Sequence, residues 1–175
     1  GIGISGANEN STSVLNYYSK TKKLRAIHSS ETKQSVLKSK KTTGTSETIR
    51  ALTMKPHFLI HMTHASKSDL HSTAKRTRGI VICPRANSSL AEGIPDIELM
   101  QKAGCTLALG TDNVMINSPD MFREMDFLWK ITMGIHKKRI NPKEILKMAT
   151  VNGGKILKKD IGVIGNGKIA DCIFL

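Results

Sequence analysis

Five short apolar runs recur along this chain, each separated from the next by a stretch with helix-forming pattern and helix-capping residues. The runs are GIGIS (1–5), KLRAIH (23–28), HFLIHM (57–62), GIVICP (79–84) and CTLALG (105–110). None is long enough for a buried helix, and most lack the strict alternation of a half-solvated strand. Strands of this type, spaced by helices, predict an α/β fold with a parallel sheet covered by helices. The intervening segments carry the start signals of helices. Ser11-Thr12-Ser13 precedes Val14, Leu15 and Tyr18, and Thr45-Ser46-Glu47 precedes Ile49 and Leu52. Ser66-Lys67-Ser68-Asp69 precedes Leu70, and Pro95-Asp96 precedes Ile97 and Met100. Met121, Phe122, Met125, Leu128 and Trp129 fall at helical spacing and predict a helix over 119–134 that packs rather than binds a cofactor. Asn141-Pro142 opens another helix, expected to break at Gly153-Gly154. The Lys/Ser/Thr-rich stretch 32–46 reads as a flexible loop. The tail GVIGNGKIADCIFL reads as two short strands about a Gly-Asn-Gly turn, with Lys168 and Asp171 in structural roles.

Bulk properties narrow the class. At 175 residues with 39% hydrophobic content, the chain is long enough for a substantial core. No apolar run approaches the ~20 residues of a membrane helix, and the start has no secretory pattern. The net charge of +13 is spread over Lys22-Lys23, Lys40-Lys41 and Lys137-Lys138-Arg139, in different segments and with few aromatics. Solvated helix faces explain it better than a nucleic-acid groove. Cys83, Cys105 and Cys172 are odd in number, widely spaced and set in apolar stretches. They read as buried free thiols of a reducing, cytoplasmic environment.

The chemistry gathers where the strands stop. The run 23–28 ends in His28, with Glu31 three residues on. The run 57–62 carries His61, with His64 behind it. The run 79–84 is followed by Arg85 and Asn87, and LALGTDN delivers Asp112. In parallel α/β architecture the carboxyl ends of the strands share one face, and active sites lie there. Imidazoles and carboxylates together form the donor set of a catalytic divalent metal, zinc above all, with iron served by the same ligands. Each residue also has a plainer role open to it. Asp112 could cap a helix, His64 could bond a neighbouring turn, and Arg85 and Asn87 could organise the turn after Pro84. His57, His71 and His136 are left as surface residues.

AIHSSE (26–31), LIHMTHAS (59–66), CPRANSSLAEGIPDI (83–97), LALGTDN (107–113) and GVIGNGKIADCIFL (162–175) together resemble the amidohydrolase superfamily, in its chlorohydrolase, cytosine-deaminase and adenosylhomocysteine-deaminase branch. The resemblance implies a TIM-type (β/α) barrel beside a small β-sandwich. Residues 1–158 would be the C-terminal part of the barrel, roughly its later half, and 159–175 strands of a sandwich whose other half is absent. It implies metal ligation by His28, His61 and Asp112, and catalytic roles for Glu31, His61 and Asp112. Glu31, His64 and Asn87 would contact substrate. The implied reaction is hydrolysis of a C–N bond, such as deamination of a nucleobase-like small molecule, by a metal-activated water. The superfamily's His-x-His pair is missing from this chain. The expectation is therefore a fragment inactive alone, which self-associates or joins the missing N-terminal half. The alternative is a non-catalytic half-barrel that acts as a scaffold for a partner chain.

Overall fold

The structure, a computed structural model, describes residues 1–137 and 139–174. Expectations that fall on Lys138, on Leu175 and on the side chain of His136 lie outside the described residues. Five parallel strands form one sheet: β1 (Ile2–Ile4), β2 (Arg25–Ser29), β3 (Phe58–His61), β4 (Ile80–Ile82) and β5 (Leu107–Leu109). Their spatial order is their chain order, β1-β2-β3-β4-β5, and every pairing is parallel. A doubly wound sheet reverses direction at a switch point. This sheet never does, so it curls one way, as the wall of a barrel does.

Register explains why the apolar runs are nearly continuous. Ile4, Ile27, Leu59, Ile80 and Leu107 pair in sequence across all five strands. Ile27, Leu59, Ile80 and Leu107 of this row are fully buried, and Ile4 packs against the same core. Each fully buried side chain stabilises the fold by about 1.5–3 kcal/mol relative to exposure. The helices supply the other side of that core: Leu15 from α1 (Thr12–Ser19), Leu70 from α4 (Lys67–Arg76), Met100 from α6 (Ile97–Lys102), Leu128 from α7 (Met121–His136) and Ile145 from α8 (Pro142–Ala149). On the opposite face His28, Ile60 and Val81 form a second row and stay partly exposed.

Capping follows the sequence closely. Ser11, Ser46, Ser66, Asp96 and Asn141 each accept a backbone N–H at the head of their helix, and Ser66 with Asp69 completes a capping box. Four expectations need correction. The stretch 32–46 is largely the helix α2 (Lys33–Thr43), capped by Thr32 and ended by Gly44 at φ 69°. Its polar composition masked ordinary cap signals at both ends. The break after α8 comes at Thr150, and α9 (Val151–Leu157) runs through Gly153 and Gly154. Close packing sets this, because a Cβ on Gly154 would lie 2.5 Å from the Ile161 carbonyl oxygen. The tail contains no strand among its described residues. A turn at 165–168 and an ion pair between Lys168 and Asp160 (2.6 Å) order it instead. Isolated hairpins are marginal without further strands to pair with. Cys83 and Cys105 are buried free thiols as expected, whereas Cys172 is exposed with that tail.

Candidate metal centre

Three left-handed backbone turns deliver the polar strand ends. Alternation along β3 would send His61, two residues after Leu59, to the helix-covered face. His61 and Met62 both adopt positive φ (68° and 58°), and the His61 ring instead reaches His28 of the opposite row. Ser30 (φ 50°) precedes Glu31, and Asp112 itself has φ 59°. Such conformations cost about 1–3 kcal/mol each and persist only where the surroundings enforce them.

Those surroundings are buried hydrogen bonds. Glu47, at the head of α3 (Glu47–Ala51), accepts the Ser30 N–H at 2.9 Å, the Ser35 hydroxyl at 2.7 Å and the Asn8 amide at 3.1 Å. Ser30 and Ser29 also bond to the Thr48 hydroxyl at 2.9 and 3.2 Å. This network fixes the turn from which Glu31 projects.

His61 is the hub. Its ring is fully buried, and its Nδ1–H donates to Asn87 Oδ1 at 2.9 Å. Asn87, in α5 (Pro84–Ser89), donates through Nδ2 to Thr63 Oγ1, which orients the amide and leaves Oδ1 to accept from the ring. The tautomer is thereby set, with the lone pair on Nε2. Around that Nε2 lie His28 Nδ1 at 3.1 Å, Glu31 Oε1 at 3.4 Å and Asp112 Oδ2 at 3.8 Å. Burial holds the basicity of His61 below the ordinary histidine range, against the opposing pull of Glu31. Glu31 is held below the ordinary carboxylate range chiefly by His28, whose Nδ1 stands 3.7 Å from Oε2, with burial opposing and the charge of His61 assisting. Asp112 keeps Oδ2 toward His61 while its Oδ1 accepts the Asn113 N–H at 2.7 Å.

His28 Nδ1–H donates to the lone pair of His61 Nε2, and a cation that displaces this one proton finds the donor atoms already gathered. A tetrahedral ion with ~2.0–2.2 Å bonds separates its N and O donors by roughly 3.3–3.6 Å. The distances about His61 Nε2 lie close to that range, and His28, Glu31 and His61 offer donor atoms all within 4.8 Å of one another. The residues present therefore fit a divalent metal.

His28, Glu31, His61 and Asp112, distant in sequence, are brought together, and Asn87 stands behind His61. His64 points elsewhere: its Nε2–H donates to the Glu92 carbonyl at 2.7 Å, tying the end of β3 to the loop after α5. Two buried acids escaped the sequence reading. Glu47 resembles an ordinary first-turn glutamate, and no pattern marked it. Glu124 is fully buried on α7, pairs with Arg85 at 3.3 Å and accepts the Arg85 backbone N–H. A signal for it existed, since residue 124 shares the apolar face of 121, 125 and 128. His57, expected at the surface, is half-buried and its Nδ1 accepts the Arg25 N–H at 2.9 Å.

The amidohydrolase family model matches residues 8–175. A Methanothermobacter thermautotrophicus protein provisionally described as an aminohydrolase is 40% identical over 153 residues, 87% of this chain and 39% of that protein. A 5-methylthioadenosine/S-adenosylhomocysteine deaminase of Thermococcus sibiricus is 36% identical over 166 residues, 89% of this chain and 38% of the deaminase. Among solved structures, a zinc-bound adenosine deaminase from Xanthomonas campestris superposes with a TM-score of 0.85 at 24% identity, covering 97% of this chain and 41% of its own. Guanine deaminase of E. coli gives 0.80 at 18% identity, over 95% and 41%. These superpositions show the fold. The chain spans about two fifths of the length of these relatives.

Proposed function

The chain belongs to the amidohydrolase family, and we propose that it carries part of the active site of a metal-dependent hydrolase that deaminates a nucleobase-like small molecule. One observation bears most of the weight: a neutral His61, oriented by Asn87, aims Nε2 at His28, Glu31 and Asp112. His28, His61 and Asp112 would hold the metal. Zinc is the choice, in keeping with the zinc-bound fold relative. When bound, such an ion lowers the pKa of a coordinated water to about 7 and polarises the group under attack.

The side chains divide the remaining work. Asp112 Oδ2 is free of backbone partners and accepts the proton of the water. Glu31, kept ionised in the resting site and a quarter exposed, faces the opening and moves a proton to the substrate ring. Asn87 positions His61, and His64 acts through the loop it anchors rather than by touching substrate. The deaminase name of the Thermococcus relative supports the choice of a nucleoside-type substrate. The sheet edges at β1 and β5 have no further strand partner among the described residues. Open edges of this kind favour association, so the site works once the rest of a barrel closes on them and the chain alone is inactive.

Asp112→Ala in the whole zinc-loaded protein tests the reading, with ammonia release followed on adenosine-type substrates. Loss of a positioned general base costs about 10²–10⁴ in rate, and the loss of a ligand adds to that. Turnover within threefold of the unaltered protein would remove Asp112 from the chemistry.

A further inference from the structure

His61 Nε2 borders two donor groups. One is the set with His28 and Glu31. On the other side, His61, Cys83 and Asp112 also present ligand atoms all within 4.8 Å of one another. Cys83 ends the β4 segment immediately before Pro84, and its side chain is 3% exposed. Its sulfur is not merely packed in hydrocarbon. A carboxylate oxygen of Asp112 lies within 4.8 Å of it. Room for the sulfur is kept by Gly110: a Cβ there would lie 3.3 Å from Cys83 Sγ and 2.8 Å from Val81 Cγ1. The strand end that delivers Asp112 is thus shaped around this thiol.

We propose that His61 Nε2, Cys83 Sγ and Asp112 Oδ2 form an alternative cation position, on the β4–β5 side of His61, that takes thiophilic divalent ions such as cadmium and excludes an ion on the His28 side, because Nε2 has a single lone pair. The inference rests on the reading of His61 and Asp112 as cation-binding side chains. One imidazole, one thiolate and one carboxylate are a borderline-to-soft donor set, which selects such ions over magnesium or calcium. Bonds of ~2.0–2.3 Å about a tetrahedral ion space the donors by roughly 3.3–3.8 Å. His61 Nε2 and Asp112 Oδ2 already stand 3.8 Å apart, so closure asks for small side-chain movements. On binding, the thiol proton leaves to solvent and the sulfur lone pair forms the bond to the metal, with no redox change. Occupancy ties up Asp112 Oδ2, so thiophilic ions are expected to oppose the role of that oxygen.

The test uses the 175-residue chain with Cys105→Ser and Cys172→Ser, so that Cys83 is the single thiol. Cadmium is titrated in, following the ultraviolet thiolate-to-metal charge-transfer band and the metal retained after gel filtration. The expected result is a band that saturates at one equivalent. It disappears in Cys83→Ser, and its apparent affinity drops at least tenfold in Asp112→Ala and in His61→Ala. Cadmium retained without a band places the ion on the His28 side of His61, away from the sulfur, overturning this proposal and leaving the proposed function intact. A band unaffected by Asp112→Ala and His61→Ala means a simple thiol adduct and also overturns it. No retained cadmium, and no zinc in a parallel titration, counts against both readings.

Discussion

Asn87→Ala separates a positioning role from a merely structural one. Asn87 is buried and spends both ends of its amide, on His61 Nδ1 and on Thr63 Oγ1. Truncation leaves the Nδ1–H of His61 buried beside a small void with no acceptor. An unsatisfied buried donor costs about 1–3 kcal/mol, so urea unfolding should report a loss of about 2 kcal/mol. The same change frees the ring to turn and no longer fixes which nitrogen holds the lone pair. Removing partners of this kind lowers metal affinity by about 10–100-fold, measurable by zinc competition against a chromophoric chelator. Asn87→Asp supplies an acceptor at the same place, and Thr63 can turn its hydroxyl to donate to it. It should recover affinity to within about threefold of the unaltered chain. If Asn87→Ala is destabilised yet binds zinc as tightly as before, the orientation argument is wrong. If affinity falls and Asn87→Asp fails to restore it, some other consequence of the truncation is responsible.

Arg85→Ala leaves the fully buried Glu124 carboxylate without its cation, a loss of about 3 kcal/mol in urea unfolding at pH 7. Burial already holds the Glu124 carboxyl above its ordinary range, with Arg85 opposing. A raised folded-state pKa favours folding below the unfolded value near 4.5, an advantage lost as pH rises through the folded value. The deficit of Arg85→Ala should therefore shrink on acidification toward pH 4.5; a deficit that stays constant or grows would contradict the assignment. His57 shows the opposite sign: burial and then the charges of Arg78 and Arg25 hold its basicity below 6.5. Its contribution is present above the unfolded pKa and fades as pH falls through the folded one. His57→Asn, which keeps an acceptor for the Arg25 N–H, should flatten the loss of melting temperature between pH 7 and 5. An unchanged slope would assign that loss to another group.

The strands were legible because they are buried by rows. A residue in the row from Ile4 to Leu107 touches strand neighbours and helix at once, and only a short apolar run can satisfy both. Helix starts were equally plain, since a Ser, Asp or Asn that accepts a backbone N–H is a local device needing no distant partner. Segment 32–46 and the Gly153-Gly154 pair were misread for one shared reason: composition was taken as conformation. In α2 the polar face simply meets solvent. In α9 Gly154 is there because Ile161 packs against the helix backbone, whereas a Cβ on Gly153 would meet nothing within 4 Å.

The site divides along the same line. Its donors could be named because each follows a strand, and a parallel sheet gathers strand ends whatever the sequence between them. What the sequence could not supply is direction. Strict alternation would turn His61 away from His28, and the left-handed pair at His61 and Met62 reverses this. Neither residue is a glycine, so neither advertises the turn. Two of the turns are enforced by distant partners, Asn87 on the ring of His61 and Glu47 with Thr48 on the turn before Glu31, and Arg85 pairs with Glu124. Arg85 Nη1 also donates to the Ser118 carbonyl at 3.2 Å, linking α5 to the segment that follows Asp112. Residues outside the donor set thus hold its shape, at a conformational cost of about 1–3 kcal/mol per turn. Weakening any of these partners should loosen the donors before it unfolds the sheet, because the sheet's own stability resides in the apolar row on its other face.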